Sequence, residues 1–384
     1  MKLCYKILIV IAFLPLIIYS QTYQVYKESF DAGDFETLDL DLNNSSVVIE
    51  KSNDNRIHFD FSIQFNNYTK KEIESILKNA NITSEIDGNQ LNFKAGSDNF
   101  FSGTALSFQN GLVLELNKNE KSTDTSKVNR KSKQDILTLI KLSKKNSVEN
   151  FLKRHKEIDE NGNKKNIDIN EVKMIKTNYY IKVPDRLDYV ILADDSNIKF
   201  DLDLSSVVKI VSEDSSFKFK AISNPSNSIT LNNGKISIQA LKGGNYFFDN
   251  VREVRIAELD SVTIQSEFSD LEIGEIGKKV FIEDFNSKFW IHNFNQNFGL
   301  FKMNMEYSEL NLFYPENSDY SLTTYGHTTK HIHDNINFET PPSRDNTSSK
   351  MLVSGDEKNA SNTIDITSEH SIIRLGDDFI DLKQ

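Results

Sequence analysis

Cysteine is all but missing from this chain: one residue, Cys4, in 384. It sits inside an N-terminal stretch, 1–20, that reads as an export signal. Lys2 and Lys6 form a basic start, Ile7 to Tyr19 an apolar run of 13 residues broken only by Pro15, and Ser20 a small residue ahead of a new N-terminus at Gln21. The run is shorter than the roughly 20 residues a membrane span needs, although an uncleaved anchor is the alternative. Cleavage would leave no disulfide, no thiol nucleophile and no thiolate metal ligand. Cys4 precedes the apolar run, so it is not a lipid attachment site.

Basic charge is also short. Lys and Arg number 45 against 56 Asp and Glu, a net charge of −11 that falls to about −13 without Lys2 and Lys6. Such a chain repels nucleic acid and anionic lipid at long range. No later segment is apolar enough to cross a membrane, so the expected places are the periplasm, the outer-membrane surface or the medium. Nucleophile elbows, phosphate loops and zinc-protease signatures are absent.

What the chain has instead is a repeat. A small residue followed by apolar residues at +2 and +4 recurs every 17 to 21 residues, with pivots at Ser196, Ser215, Gly234, Arg252, Ser269, Ser287 and Ser308. The +2 residues run Ile198, Phe217, Ile236, Val254, Leu271, Phe289, Leu310, and the +4 residues Phe200, Phe219, Ile238, Ile256, Ile273, Ile291, Leu312. Upstream, position −5 holds Ile191, Ile210, Ile229, Phe247, Ile264, Ile282 and Met303, and +7 mostly an apolar corner residue. Apolar residues two apart share one face of a strand, so each unit predicts strand, turn, strand and corner.

A fixed period of this size predicts an all-β parallel β-helix or β-solenoid, in which each coil buries its apolar face only against its neighbours. An antiparallel sandwich also has short strands with frequent turns, but it has no need of one phase at every second turn. Ser45 and Ser371 carry the same flanking pattern, while Gly326 is followed by Thr328 and Lys330 at core positions and predicts a degraded or absent coil. The expected organisation is a signal peptide (1–20), an N-terminal β region (21–117), a Lys-rich helical insertion (118–176), the repeats (177–340), and a loop with a terminal β coil (341–384).

The insertion crowds lysines from Lys121 to Lys145, and Ile136, Leu137, Leu139, Ile140 and Leu142 are spaced as one face of a short helix. Ser147 would cap a second helix carrying Phe151 and Leu152. The run from Asp159 to Glu171 resembles a helix-loop calcium site at Asp159, Asn161 and Asn163, then fails at Lys164, which replaces the turn glycine.

Candidate chemistry is sparse. Asp194, Asp195, Glu213 and Asp214 precede successive pivots, so stacking would gather four carboxylates suited to Ca²⁺; Asp in tight turns more simply bonds its own backbone. No other cofactor is suggested. His327, His331 and His333 fall within seven residues, and the last two would share a strand face. The sole tryptophan, Trp290, points outward by phase beside His292, with Phe281, Phe285 and Tyr307 near enough to extend an aromatic surface for a sugar ring or a protein partner.

Phe35 to Leu40, the strand-then-proline segment Asn178 to Pro184, and the units Ser266 to Ile273 and Tyr307 to Leu312 together resemble the bacterial putative-adhesin family of exported β-strand-repeat proteins. The likeness covers most of 24–115 and 178–376; the Lys-rich insertion and the loss of glycine at most pivots depart from it. The resemblance implies a β-solenoid without catalytic residues that presents a surface for adhesion or envelope contact. A polysaccharide lyase or hydrolase on the same scaffold, and a periplasmic scaffold or sensor module, are the alternatives.

Overall fold

The computed structural model describes residues 21–96, 104–107, 113–115, 128–142, 156–158, 164–166, 172–315, 319–333, 349–355, 360–376 and 378–379. The export signal, the second helix of the insertion and most of the calcium-like loop lie outside them. The described chain is all-β, built on two large, mostly parallel sheets of 15 and 13 strands.

From Asp188 to His333, successive strands alternate between the sheets. In the first, strands such as Asn197–Phe200, Ser216–Ile222, Lys235–Lys242 and Glu253–Asp260 pair in parallel, and in the second Asp188–Asp194, Val208–Glu213, Ser228–Asn232 and Asn245–Asp249 do so. The predicted +2 column is continuous in register, from Val47 through Ile198, Phe217, Ile236, Val254, Leu271, Phe289 and Leu310 to Ile373. Every member is at least 97% buried, so each contributes roughly 1.5–3 kcal/mol of apolar burial. The corner residues Ile222, Leu241, Leu259, Ile276 and Phe294 also stack in register.

Two repeat assignments differ from the prediction. The residue before each pivot has a left-handed backbone, and in this unit that residue is Asn250, so the pivot is Val251. Arg252 is an extra residue between corner and strand, and counting back two from Val254 lands on it. The same slip put Phe247 in the inner column, where Tyr246 stands between Ile229 and Ile264. The coil expected to be degraded or absent is present with polar core positions: Tyr320–His327 and Lys330–His333 flank the pivot Thr329 rather than Gly326, and His331 takes the core position opposite Ile373.

Chain order and stacking order separate at both ends. The coil around Ser45 pairs directly with the coil around Ser196. Beyond the coil of Ser45 lies an end layer in which Arg56–Asn66 runs antiparallel to both Gln21–Asp31 and Lys173–Val183. Phe59 stacks on Phe93 at 4.1 Å and Phe61 on Tyr179 at 4.2 Å beneath it. At the other end, Asn362–Glu369 and Ile372–Gly376 insert between the coil of Ser308 and that of Thr329.

The pivots form a hydrogen-bonded ladder. The backbone N–H of Ser45 donates to Ser196 Oγ, that of Ser196 to Ser215 Oγ, and the pattern resumes from Val251 through Ser269, Ser287, Ser308 and Ser371 to Thr329. Each rung hydroxyl turns back onto the carbonyl two residues before it, as Ser215 does on Glu213 at 2.8 Å. A buried corner N–H is thereby satisfied at each of these rungs. The ladder breaks at Gly234, where a Cβ would lie 1.9 Å from the Ser215 carbonyl oxygen and φ is +82°.

Candidate functional surface

The outer face of the 15-stranded sheet is partly covered and charge-compensated. The helix Lys133–Leu142 lies across it, packing Ile136 and Ile140 on Ala257, with Gly274 leaving room for Ile136. Ser132 caps this helix, its backbone N–H and hydroxyl both held by Asp135. Lys133 reaches Glu258 at 2.6 Å and Glu275 at 3.1 Å, and Lys131 pairs with Glu272. Part of the Lys-rich insertion is therefore a strap laid on a carboxylate-bearing sheet.

His292 belongs to this strap contact. It is fully buried, stacked on Phe313, and accepts the Lys131 backbone N–H at Nδ1, so its Nε2–H faces Glu272 Oε1 at 3.3 Å. Burial acts to raise the Glu272 pKa, but His292, Lys131 and Arg255 outweigh it and hold the carboxyl well below the usual range. Trp290 is half-buried on the same sheet, between Glu272 and Asn311, with Lys288 Nζ 4.6 Å above its ring. Phe281 lies on the other sheet, between Thr263 and Lys302. The structure does not bring Trp290, His292 and Phe281 together as one surface.

Asp194 and Glu213 are cross-strand neighbours, and Asp195 and Asp214 are left-handed corner residues with φ of 42° and 49°. Their backbone N–H groups donate to the next coil, Asp195 to the Glu213 carbonyl and Asp214 to that of Asn232. Among the described residues, no group of three or more His, Cys, Asp or Glu is placed to share a metal ion. His331 is turned inward, with neither ring nitrogen hydrogen-bonded, and burial, then Lys350 and His333, push its pKa down to about 4.

The corner carrying those carboxylates runs the length of the repeat as two columns. The strand-end column reads Asn43, Asp194, Glu213, Asn232, Asp249, Glu267, Phe285, Glu306, Glu369, His327 in continuous register. The left-handed column beside it reads Asn44, Asp195, Asp214, Asn233, Asn250, Phe268, Asn286, Tyr307, His370, Thr328. Neither column contains a lysine or arginine.

Aromatic rings interleave between the columns in the later coils. Phe268 meets Phe285 edge-on at 5.5 Å, Phe285 meets Tyr307 at 5.8 Å, and Tyr307 stacks on His370 at 4.9 Å. Phe268 and Tyr307 are 51% and 52% exposed, too open for their burial to account for them. They also hold φ of 48° and 52°, a conformation that bulky side chains rarely adopt and that Asn fills elsewhere in the column. A shallow depression of ≈ 330 Å³ opens beside them, floored by Ser269, Ser287 and Ser308 and rimmed by Asp270, Lys288 and Glu309. Lys288 there lies 3.6 Å from Glu309.

Phe285 and Tyr307 were noticed in the sequence, but as neighbours of Trp290. Phe268 and His370 were missed. The signal was available: the two residues before each pivot, followed through all coils instead of the first three, keep their acids and gain aromatic rings at Phe268, Phe285, Tyr307 and His370.

The outer face of the 13-stranded sheet carries exposed apolar residues, among them the cross-strand neighbours Leu192 and Val211 at 49% and 57% exposure. No helix among the described residues is long and apolar enough to cross a membrane.

No family model matches the chain, and no curated protein matches it. A crystal structure of a putative cell adhesion protein from Clostridium sporogenes aligns with 93% of this chain and 99% of that one, at 9% identity and a TM-score of 0.17. At that score the likeness supports no statement about fold or function.

Proposed function

We propose that this chain is an exported, non-enzymatic β-solenoid that presents its acidic and aromatic corner, with the adjoining face of the 13-stranded sheet, as a surface for adhesion or cell-envelope contact. The solenoid reading rests on the inner columns, which stay in register through coil after coil. Export rests on the basic start and short apolar run of residues 1–20.

The observation that carries the functional reading is the exposed row Phe268, Phe285, Tyr307. Large rings left half in water, two of them on an unfavourable backbone, gain their contact energy only when something covers them. A long rigid scaffold suits this role because it fixes ring spacing without paying to order a loop on binding.

The test is retention of the fluorescently labelled chain on intact bacterial cells and isolated envelopes. The Phe285→Ser/Tyr307→Asn double variant is expected to bind at least about tenfold less, the loss of one aromatic hot spot. Trp290→Ala, away from the corner, is expected to bind like the parent. Equal retention of parent and double variant would overturn the reading.

A further inference from the structure

We infer that the corner recognises a cationic polypeptide segment, rich in arginine or lysine, on a protein partner. This rests on the surface reading above and names its ligand class. Three observations converge on it. The aromatic rings Phe268, Phe285 and Tyr307 are exposed and lie along one line. Glu267, Phe285, Glu306 and Glu369 are consecutive in the strand-end column, so carboxylates flank the rings on the same edge. Among the described residues, no lysine or arginine pairs with Glu267 or Glu306, although the other sheet neutralises its acids within and between strands, as Arg255 does with Glu253 on its own strand at 2.5 Å and with Glu272 on the next at 3.0 Å.

A guanidinium or ammonium ion is the group that both features favour. It is attracted to the face of an aromatic ring and pairs with a carboxylate beside it. An extended segment laid along the corner would meet a new coil about every 4.8 Å, so successive basic side chains could each find a ring or a carboxylate. Anionic polysaccharide, nucleic acid and anionic lipid are repelled by the same columns. A neutral sugar would use the rings but would have no use for a long edge without basic residues. The chain's net charge of −11 adds long-range attraction for a basic partner.

The probe is a fluorescein-labelled octa-arginine peptide titrated with the purified chain at 50 and 150 mM salt, read by anisotropy. Octa-lysine and an uncharged Gly-Ser peptide serve as comparisons. The triple variant Glu267→Gln/Glu306→Gln/Glu369→Gln and the double variant Phe285→Ser/Tyr307→Asn are each expected to weaken octa-arginine binding at least about tenfold. Glu28→Gln/Glu36→Gln/Glu74→Gln, with the same charge change away from the corner, is expected to stay within about twofold. Unchanged melting curves would show that the variants fold.

If both glutamine triples weaken binding equally, or the aromatic double variant leaves it intact, the attraction is general electrostatics and the inference fails. If the parent holds to cells through Phe285 and Tyr307 but ignores octa-arginine, the cationic ligand fails while the surface reading stands. If cell retention is indifferent to the double variant, the surface reading itself fails.

Discussion

Ser45 and Ser196 are 151 residues apart in the chain, yet the backbone N–H of Ser45 donates to Ser196 Oγ at 3.1 Å. Their coils are neighbours although the described residues between them include the end layer, the strap and the strand Lys173–Val183. One ladder thus joins pieces of chain brought together only by the complete fold.

Removing a rung should cost more than its own bond. In Ser287→Ala, the buried N–H of Ser269 loses its acceptor. The expected loss is about 1–3 kcal/mol in chemical denaturation. Ser287→Thr, which keeps the hydroxyl, should recover much of it, as Thr329 already fills a rung. An alanine variant as stable as the parent would mean that the ladder is incidental to the corner.

The strap should be separable from the sheets. Ile136 is fully buried and packs on the outer face of the sheet, at Ala257 and Gly274. Ile136→Asp places a charge in that contact and is expected to expose residues 130–142 to trypsin, while far-ultraviolet circular dichroism keeps its β signal. Ile136→Ala should release the helix partially, at about 2–5 kcal/mol of local stability. Loss of all β signal in either variant would show that the strap is integral to the sheets.

The inner columns were legible in the sequence because burial on a strand has a two-residue period and stacking gives every coil the same phase. Ile198, Phe217 and Ile236 needed no tertiary information to be aligned. Val251 was not legible as a pivot, since one inserted residue moves the corner without moving Val254 or Ile256. The insertion of the last coil between those of Ser308 and Thr329 was also hidden, because identical ladders fit in any stacking order. The corner surface was visible only in fragments. Asp194, Asp195, Glu213 and Asp214 were read as a Ca²⁺ cluster or as plain turn residues, and Tyr307 as a satellite of Trp290, because a column is a property of register and register was inferred for the core alone.

His331 makes the terminal coil sensitive to acid. Its folded pKa, about 4, lies below the value near 6.5 of an unfolded histidine. The unfolded chain therefore binds more protons as pH falls, and the histidine's contribution to stability is full above pH 6.5 and is lost on descending toward pH 4. Amide hydrogen exchange in 320–333 and 362–376 is expected to quicken over that window, ahead of the middle coils. His331→Leu, which suits the column of Ile373, should abolish the difference. Equal exchange in both proteins at pH 4.5 would count against it.

Phe268 offers a direct measure of what the corner gives up for its rings. A left-handed backbone costs a bulky residue about 1–2 kcal/mol, whereas Asn tolerates it and occupies this column at Asn44, Asn233, Asn250 and Asn286. Against that, Phe268 has one edge contact, with Phe285, worth about 0.5–1.5 kcal/mol when buried and less at 51% exposure. The strain is the larger quantity, so Phe268→Asn is expected to raise stability by about 0.5–1 kcal/mol in thermal or denaturant unfolding. Phe268→Val, β-branched at the same φ, should lower it by a similar amount. The Asn variant should at the same time bind cells and envelopes less well than the parent, since the ring is then absent from the row. A Phe268→Asn protein less stable than the parent would mean that the phenyl ring supports the coil, and that its exposure is no sign of a partner.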